Sequence, residues 1–369
     1  MVQTFMSFSF GCRVNEAEKQ LLDKQLIDLG FSWDEKHPTF YVINSCAVTG
    51  KAEREVRQHI YQIRKKYPTT TIVTTGCSAT LWMKNNTKPD RADYWIDNKR
   101  KHTIVPLLTR LSNTSIPLKR IQNSNRSSDK FLNSGRMMIK IQEGCNRYCS
   151  YCIVPYLRGP VKSEAISDII QLILSSKQPV SEVILTAINT EAFGKDTGEN
   201  LIQLVEGVLK NTKIERVSFG SIHPWSITDE FLSWYKDNKD NPRFVHFFHI
   251  PIQSGSDTIL NLMNRQYTRK EVMHRLMALH TINPHALIAT DVIVGFPGES
   301  EKEFQETYEF LKKCPISKFH VFRYSPRPGT AAEKLSTLYK EPPSDIKKQR
   351  AKKLADLSAK KYQVFLSHI

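Results

Sequence analysis

Three of the seven cysteines stand close together near the middle of the chain. They are Cys145, Cys149 and Cys152, in the spacing Cys-x3-Cys-x2-Cys. Thiolate ligands select zinc or an iron–sulfur cluster. A structural zinc site needs a fourth ligand, and the next sixty residues contain neither Cys nor His. Three thiolates leave one coordination position open to a substrate or cofactor, so the spacing favours a catalytic centre over a degenerate zinc knuckle.

Three further cysteines are isolated in the sequence, and each follows a predicted strand. Cys12 follows the first strand, Cys46 the second and Cys77 the third. The carboxyl ends of parallel strands meet at one edge of a sheet, so these thiols are predicted to converge on a second cluster. A lone Cys is more often a buried small hydrophobe. The threefold repetition of strand, turn and Cys favours the cluster.

Strands and helices alternate through residues 1–115, which predicts an α/β domain with an open, mostly parallel sheet. Apolar periodicity and β-branched runs place these elements. The predicted strands are 5–10, 40–43 and 71–75, and the predicted helices are 16–29 and 52–67.

Residues 116–134, rich in Ser, Asn, Arg and Lys, are predicted to form a linker. Alternation resumes over 135–344, where six strand–helix units predict a partial (β/α)6 barrel with its active site at the C-terminal rim. The predicted strands are 138–142, 183–186, 216–219, 245–250, 287–294 and 319–324. The predicted helices are 164–175, with Ser163 as N-cap, 228–235, 269–280 and 301–312.

The chain of 369 residues is strongly basic. It has 53 Lys and Arg against 37 Asp and Glu, a net charge of +16. Neither a secretory signal nor a membrane-spanning run is evident, which predicts a cytoplasmic protein with no membrane partner. The surplus charge suits a polyanion such as nucleic acid. Residues 345–369 are predicted to form a basic C-terminal helix. A run of charges like this is usually a solvated helix face, and contact with RNA is the alternative.

The sequence resembles the radical S-adenosylmethionine methylthiotransferases over almost its whole length. The residues from Gln142 to Gly159 are similar to the cluster motif of that family. Further matches are 11–15, 44–49 and 75–77 around the isolated cysteines, and 251–257, 263–268 and 291–299 in the second half.

The resemblance implies two [4Fe-4S] clusters. One, on Cys145, Cys149 and Cys152, would bind S-adenosylmethionine and cleave it to a 5′-deoxyadenosyl radical. The other, an auxiliary cluster on Cys12, Cys46 and Cys77, would hold the sulfur that is methylated and inserted. The resemblance also places Gln253, Ser254 and Arg265 near S-adenosylmethionine. Ser221 and Asn189, at the ends of predicted strands, face the same rim and complete the five residues predicted to bind this cofactor.

Local roles are the alternative for three of these five. Arg265 is a candidate partner for the carboxylate of S-adenosylmethionine because its guanidinium fork matches that group. It would otherwise cap a helix or form an exposed ion pair. Ser221 and Asn189 would otherwise be turn residues that satisfy local backbone groups.

Two features depart from the family pattern. Leu185-Thr-Ala-Ile-Asn189 stands where relatives often have Leu-Thr-Gly before Asn, which alters a close backbone approach. Most relatives also carry an RNA-binding barrel of the TRAM type after the basic helix, and none is expected within these 369 residues.

The resemblance is greatest to the type that acts on N6-threonylcarbamoyladenosine beside the tRNA anticodon, through 11–18, 44–49, 52–54, 57–58 and 221–225. The expected reaction is C2 methylthiolation of that nucleoside at position 37, with a reductant such as flavodoxin or ferredoxin. The alternatives are isopentenyladenosine at the same position and an aspartate of a ribosomal protein. From other classes, the alternatives are a two-cluster electron carrier and a noncatalytic RNA-binding protein.

Overall fold

A computed structural model describes residues 3–112, 135–176 and 179–368. The chain divides into two compact units. The first comprises residues 1–140, 153–160 and 176–181, and the second comprises 141–152, 161–175 and 182–369. The predicted linker, 116–134, lies outside the described residues.

The first unit contains a five-stranded parallel sheet, as predicted. Its strand order is β2-β1-β3-β4-β5. The strands are Thr4–Ser9 (β1), Ser32–Trp33 (β2), Phe40–Ser45 (β3), Thr71–Gly76 (β4) and Tyr94–Trp95 (β5). The helices are Arg13–Asp28 (α1), Gly50–Lys66 (α2), Cys77–Asn85 (α3), Ile104–Leu111 (α4) and Val154–Arg158 (α5), with a 3-10 helix over Asn98–Thr103.

Alternation of side chains along β3 builds two cores, one on each face of this sheet. Phe40 and Val42 pack on one face, and Tyr41 and Ile43 pack on the other. The register sets Ser9 opposite Asn44, and Asn44 opposite Thr75. The three central strands therefore end at the same level, which fixes where the following loops begin.

The second unit is built on two sheets whose strand orders are β7-β6-β8-β9 and β10-β11-β12, with residues 136–140 of β6 counted in the first unit. The strands are Arg136–Glu143 (β6), Lys162–Ser163 (β7), Glu182–Ala187 (β8), Arg216–Phe219 (β9), Phe247–His249 (β10), Leu287–Val294 (β11) and Lys318–Arg323 (β12). The helices are Ile166–Leu174 (α6), Leu201–Asn211 (α7), Asp229–Asp237 (α8), Asp257–Leu262 (α9), Arg269–Ile282 (α10), Glu301–Lys313 (α11), Ala331–Leu338 (α12) and Ser344–Leu366 (α13).

Backbone hydrogen bonds connect the two sheets beside β9 and β10. Val217 N donates to Arg243 O at 2.7 Å, and Ile222 N donates to His249 O at 2.9 Å. The six strands that follow one another as β6, β8, β9, β10, β11 and β12 form a curled half-barrel. This confirms the predicted partial (β/α)6 fold.

The predicted start of α6 is wrong. The helix begins at Ile166, and its N-cap residue Ala165 makes no side-chain cap. Ser163, the predicted cap, lies in β7 and pairs with Gln142 of β6 in antiparallel register. Its hydroxyl accepts a hydrogen bond from Gly194 N at 2.9 Å instead. Strand pairing therefore outweighs the local capping preference of Ser.

The basic C-terminal helix α13 packs against β11 and β12, and part of its charge points inward. Arg350 is buried and donates to the Glu299 carboxylate at 2.7 Å. Lys361 donates to the carbonyl oxygens of Leu311 and Cys314 at 2.9 and 2.6 Å. The expectation of a wholly solvated basic face is therefore wrong for these two cations. Among the described residues, no helix combines the length and the apolar character needed to cross a membrane.

Asp23 predicts a pH dependence of stability. Its carboxylate is fully buried on α1, accepts from Ser7 Oγ at 2.5 Å and pairs with Lys19 at 2.7 Å. Burial raises its pKa from 3.8 to about 6. The folded chain then binds a proton that the unfolded chain releases, so stability falls as pH rises from about 4 to about 6. The loss amounts to about 3 kcal/mol at 1.36 kcal/mol per pKa unit.

Asp23→Asn is expected to remove this slope. We would measure thermal-unfolding midpoints from pH 4 to pH 7 for the wild-type chain and the variant. The matched control is Asp28→Asn, because Asp28 pairs with Lys24 on the same helix but is 39% exposed. Equal pH profiles for the wild type and Asp23→Asn would contradict the prediction.

Candidate cluster sites

The three isolated cysteines lie at one edge of the sheet in the first unit. Cys12 is the N-cap residue of α1, after β1. Cys46 directly follows β3, and Cys77 begins α3 directly after β4. The pKa of the Cys46 thiol is raised to about 12, mainly by burial, with a contribution from the neighbouring Cys12 and Cys77. The structure thus brings together the residues predicted to converge.

Two glycines allow this convergence. Gly11 has φ +84°, and a Cβ at that position would lie 2.3 Å from Cys46 Sγ. Gly76 has φ +96°, and its Cβ would lie 2.3 Å from Ser45 O and 2.5 Å from Ser45 N. Only glycine combines these dihedral angles with such close approaches. The loops before Cys12 and Cys77 can therefore pack directly against the chain at Cys46.

A buried carboxylate, Glu18, lies next to this edge among three cations. It pairs with Arg158 at 2.9 Å, with Lys140 at 3.3 Å and with Lys101. The carboxylate is buried, but the charge of Arg158, followed by those of Lys101 and Lys140, holds its pKa well below the usual range. Glu18 is therefore ionised. Sequence reasoning assigned no role to these four residues, which are far apart in the chain.

Amide side chains connect this ion group to the cysteine loops. Asn15 accepts from Arg158 Nη2 at 2.6 Å and donates to Ser45 O at 3.1 Å. Asn98 Nδ2 donates to Cys77 Sγ at 3.6 Å and to Leu157 O at 3.1 Å. An N–H group directed at a ligand sulfur is one of the features that tune an iron–sulfur cluster.

Helix α5 packs on the same edge. Ile153 and Leu157 form an apolar cluster with Ala47, Cys77 and Leu81. Lys84 of α3 donates to Tyr156 O at 2.7 Å. The cysteine edge is thus covered by a segment of the first unit that follows Cys152 directly in the sequence.

The Cys-x3-Cys-x2-Cys loop follows β6 in the second unit, as predicted. Cys149 is buried, whereas Cys145 and Cys152 are partly exposed. Ser150 anchors the loop, because its N donates to Met263 O at 3.0 Å and its Oγ donates to Leu262 O at 2.7 Å. The Asn264 side chain donates to Tyr148 O at 3.1 Å. The segment after α9 therefore holds the loop in place.

Arg265 lies against this loop and is buried. Its Nη1 donates to Cys149 Sγ at 3.3 Å and to Tyr151 OH at 3.4 Å. Its Nη2 donates to Pro251 O at 2.9 Å, and its Nε donates to Tyr267 OH at 2.8 Å. All three guanidinium nitrogens therefore have protein partners, and one of these partners is a predicted cluster ligand. Neither of the local alternatives, a helix cap or an exposed ion pair, describes this contact.

Trp225 is enclosed by two guanidinium groups. Arg147 and Arg265 each lie 4.3 Å from its ring centroid. Arg147 also pairs with Glu191 at 2.8 Å. Cation–π contacts of this kind are strongest when desolvated. The stack joins the cysteine loop to the 3-10 helix at Pro224–Ser226, a connection that motif reasoning missed.

Asn189 has a buried polar side chain. It lies after β8 and is 1% exposed, and its backbone N donates to Gln142 Oε1 at 2.9 Å. Neither its Oδ1 nor its Nδ2 has a hydrogen-bond partner among the described residues. Buried polar atoms are nearly always satisfied, so this pair fits a polar ligand such as the amino acid part of S-adenosylmethionine.

Gln253 and Ser254 follow β10 on a strained segment. Gln253 has φ +72°, and its backbone pairs with β11 through Asp291 O and Ile293 N, both at 2.9 Å. Ser254 is buried, and its hydroxyl lies 3.1 Å from Thr307 Oγ1 of α11. The contact between Ser254 and Thr307 thus holds the turn after β10 against α11.

Ser221, which follows β9, belongs to a hydrogen-bonded row that continues through β10 to β11. Ser221 Oγ lies 2.8 Å from His249 Nδ1, and His249 Nε2 lies 3.0 Å from Asp291 Oδ1. Nearby, burial lowers the pKa of His223 to about 3, so its ring is neutral and bonds Thr190 Oγ1 at 3.0 Å. Sequence reasoning singled out Ser221 but gave no role to the two His residues.

No group of three or more His, Cys, Asp or Glu side chains in the described part of the chain is arranged to hold a metal ion. A [4Fe-4S] cluster is a larger group than one ion, and it takes one thiolate on each of several iron atoms. The two Cys trios supply the soft donors that such a cluster requires. Their chemistry fits one cluster at each site.

The Radical SAM superfamily model matches residues 139–311, and the model of the uncharacterized protein family UPF0004 matches residues 4–97. The threonylcarbamoyladenosine tRNA methylthiotransferase MtaB of Aquifex aeolicus is 36% identical over 97% of this chain and 88% of its own length. The chain belongs to the radical SAM methylthiotransferase family. Its expected cofactor chemistry, S-adenosylmethionine with an iron–sulfur cluster, follows from that membership.

A second relative and one solved structure are also similar to this chain. The tRNA-2-methylthio-N(6)-dimethylallyladenosine synthase of Thermodesulfovibrio yellowstonii is 33% identical over 89% of this chain and 77% of its own length. Among solved structures, the radical S-adenosylmethionine methyltransferase TsrM of Kitasatospora setae matches with a TM-score of 0.61 at 13% identity. That match covers 88% of this chain and 77% of TsrM. It confirms the fold alone.

Proposed function

We propose that this methylthiotransferase acts on tRNA and converts N6-threonylcarbamoyladenosine-37 to its 2-methylthio derivative. The observation that carries the proposal is the presence of two Cys trios on one chain, one at the carboxyl ends of three parallel strands and the other in the loop after β6. One trio supports cleavage of S-adenosylmethionine, and the other supports delivery of sulfur. A protein that only cleaves S-adenosylmethionine needs one trio.

The names of relatives support the choice of nucleoside. The relatives from Aquifex aeolicus and Thermotoga maritima, 36% and 32% identical, are named for threonylcarbamoyladenosine. The relative from Thermodesulfovibrio yellowstonii, 33% identical, is named for dimethylallyladenosine. Because these identities are close, the choice of nucleoside is supported mainly by the resemblance of the motifs around Cys12, Cys46 and Ser221. Isopentenyladenosine and a ribosomal-protein aspartate are the alternative substrates.

In this proposal the two clusters occupy the two Cys trios. Cys145, Cys149 and Cys152 hold the cluster that, when bound, supplies the electron for cleavage of S-adenosylmethionine. Cys12, Cys46 and Cys77 hold the auxiliary cluster. The chain then carries two [4Fe-4S] clusters, one on each trio. The buried guanidinium of Arg265 orients Cys149 and offsets its negative charge. Trp225 and Arg147 hold that guanidinium in place.

Five residues are proposed to bind S-adenosylmethionine or to shape its pocket. Asn189 has the unpartnered amide that such a ligand would satisfy. Gln253 and Ser254 shape the turn after β10, and Ser221 lies at the end of β9. Arg265 offers no guanidinium nitrogen free of protein contacts, so a role at the cofactor carboxylate requires one of these contacts to be exchanged.

The net charge of +16 supports tRNA as the partner, because phosphate contacts dominate the affinity of proteins for nucleic acids. An electron donor such as flavodoxin or ferredoxin is proposed as the second partner, since cleavage of S-adenosylmethionine consumes an electron.

The test is nucleoside mass spectrometry after anaerobic incubation of the iron-reconstituted chain with S-adenosylmethionine, dithionite and tRNA. Two tRNA samples are compared, one with threonylcarbamoyladenosine and one with isopentenyladenosine, both lacking the methylthio group. We expect the 2-methylthio product only in the first sample. Product only in the second sample would overturn the choice of nucleoside.

The same incubation tests the alternative of a two-cluster electron carrier. An electron carrier has no need to cleave S-adenosylmethionine, so it would form no 5′-deoxyadenosine. Formation of 5′-deoxyadenosine together with the methylthio product would exclude that alternative, and the absence of both would favour it.

A further inference from the structure

The ion group beside the auxiliary cysteines is unusually well buried. The side chains of Arg158 and Glu18 are 1% and 8% exposed, and those of Lys101 and Lys140 are 17% and 22% exposed. Three basic residues surround a single carboxylate. Such a group gains little net stability, because desolvation of the charges offsets their attraction. A contribution to folding stability therefore does not explain why three cations surround one carboxylate.

The group is attached to all three cysteine loops. Arg158 contacts Asn15, which lies in the first turn after Cys12 and donates to Ser45 O, just before Cys46. Leu157, the neighbour of Arg158, accepts from the Asn98 amide that also donates to Cys77 Sγ. Arg158 is thus connected to the loops of Cys12 and Cys46 through a single residue, Asn15.

Arg158 is the permanent charge in this group. A guanidinium keeps its proton even when buried, whereas burial lowers the pKa of Lys101. A charge held in a low-dielectric region acts strongly on its neighbours. Net charge and hydrogen bonds around the sulfurs set the potential of an iron–sulfur cluster.

We propose that Arg158 is a positioning residue for the auxiliary cluster, with its buried positive charge raising the reduction potential of that cluster. This inference rests on the proposed function, which places a cluster on Cys12, Cys46 and Cys77. Reduction adds negative charge to the cluster, and a fixed cation nearby stabilises the reduced state. Glu18 orients the guanidinium through their ion pair.

The test is an EPR-monitored redox titration in which only the auxiliary cluster is present. The full chain carries Cys145→Ala, Cys149→Ala and Cys152→Ala as its background. Arg158→Gln removes the buried charge, and Arg158→Lys keeps it, because the Glu18 carboxylate that pairs with Arg158 favours the protonated form of a Lys at this position. The matched control is Lys84→Gln, because Lys84 also contacts α5, at Tyr156 O, but is exposed.

Arg158→Gln is expected to lower the reduction potential of the auxiliary cluster by about 59 mV or more, which corresponds to a change of at least tenfold in the one-electron equilibrium constant. Arg158→Lys and Lys84→Gln are expected to keep the potential of the background chain. An unchanged potential in Arg158→Gln, or an equal shift in Lys84→Gln, would overturn the inference.

Iron content separates the remaining outcomes. If Arg158→Gln loses its cluster while Arg158→Lys keeps one at the background potential, the charge requirement is supported. If both variants lose the cluster, Arg158 serves packing and the inference is wrong. A background chain that holds no iron would overturn the proposed function itself, and this inference with it.

Discussion

Replacement of Cys12, Cys46 and Cys77 together by Ala is expected to abolish the methylthio product while 5′-deoxyadenosine formation continues. The reason is that the two trios lie in different compact units, each with its own core. Loss of the auxiliary ligands leaves the Cys149–Arg265 contact intact. Iron content is expected to fall from about eight to about four atoms per chain, one [4Fe-4S] cluster.

The converse replacement, of Cys145, Cys149 and Cys152 by Ala, is expected to abolish both products. It should also leave about four iron atoms per chain. The measurements are iron content, 5′-deoxyadenosine by chromatography and nucleoside mass spectrometry on the same samples. Cys314→Ala is the matched control, because Cys314 is buried and donates to Leu311 O at 3.5 Å, far in sequence from both trios. Full iron and full product in the Cys12, Cys46 and Cys77 variant would contradict the assignment.

The convergence of Cys12, Cys46 and Cys77 at one edge of the sheet could be predicted from the sequence, because it follows from the local succession of strand, loop and Cys. Cys46 and Cys77 come directly after β3 and β4, Cys12 comes three residues after the end of β1, and parallel strands in adjacent positions end together. The alternation of strands and helices then sufficed to predict the sheet. The same reasoning placed the Cys145 loop after the first strand of the half-barrel.

The ion group could not be predicted in this way. Glu18 and Arg158 are 140 positions apart, and Lys101 reaches Glu18 from a 3-10 helix in between. No periodicity or spacing relates such residues, since only the tertiary fold brings them together. Arg158 belongs to the matched stretch after Cys152, but a motif gives no partner for it.

The contacts of Arg265 and Trp225 show the same limit in the second unit. The sequence marked Arg265 as a candidate for a carboxylate, and the structure places it against a thiol and a tryptophan. Guanidinium chemistry is compatible with each of these partners. The residue type therefore predicted a carboxylate as the partner of Arg265, whereas the protein groups that it contacts depend on the tertiary fold.

Gly76→Ala is expected to destabilise the first unit and to remove the auxiliary cluster. Gly76 has φ +96° and ψ −167°, a region that is essentially restricted to glycine. Its new Cβ would meet Ser45 O and Ser45 N, which are backbone atoms of β3 and cannot rotate away. The cost is expected to be about 3 kcal/mol or more, which combines backbone strain with displacement of the β4–α3 junction.

Gly11→Ala is expected to separate cluster loss from unfolding. Its Cβ would meet Cys46 Sγ at 2.3 Å and Cys46 Cβ at 2.7 Å, so the collision falls on the ligand itself. Rotation about χ1 of Cys46 can move its Sγ, although not its Cβ, out of contact, whereas the two nearest atoms in Gly76→Ala both belong to the backbone, so the fold should lose less stability than in Gly76→Ala. The displaced sulfur can no longer face Cys12 and Cys77, so iron is expected to fall to about four atoms per chain.

Gly198→Ala provides the matched control for both substitutions. Gly198 has φ +78°, but a Cβ there would meet nothing within 4 Å. It should cost only the strain of a left-handed residue, about 1 kcal/mol, and keep its iron. Thermal midpoints and iron content of the three variants give the test. If Gly198→Ala lost as much iron as Gly11→Ala, backbone strain alone would explain the loss, and the close approach to Cys46 would have no special role.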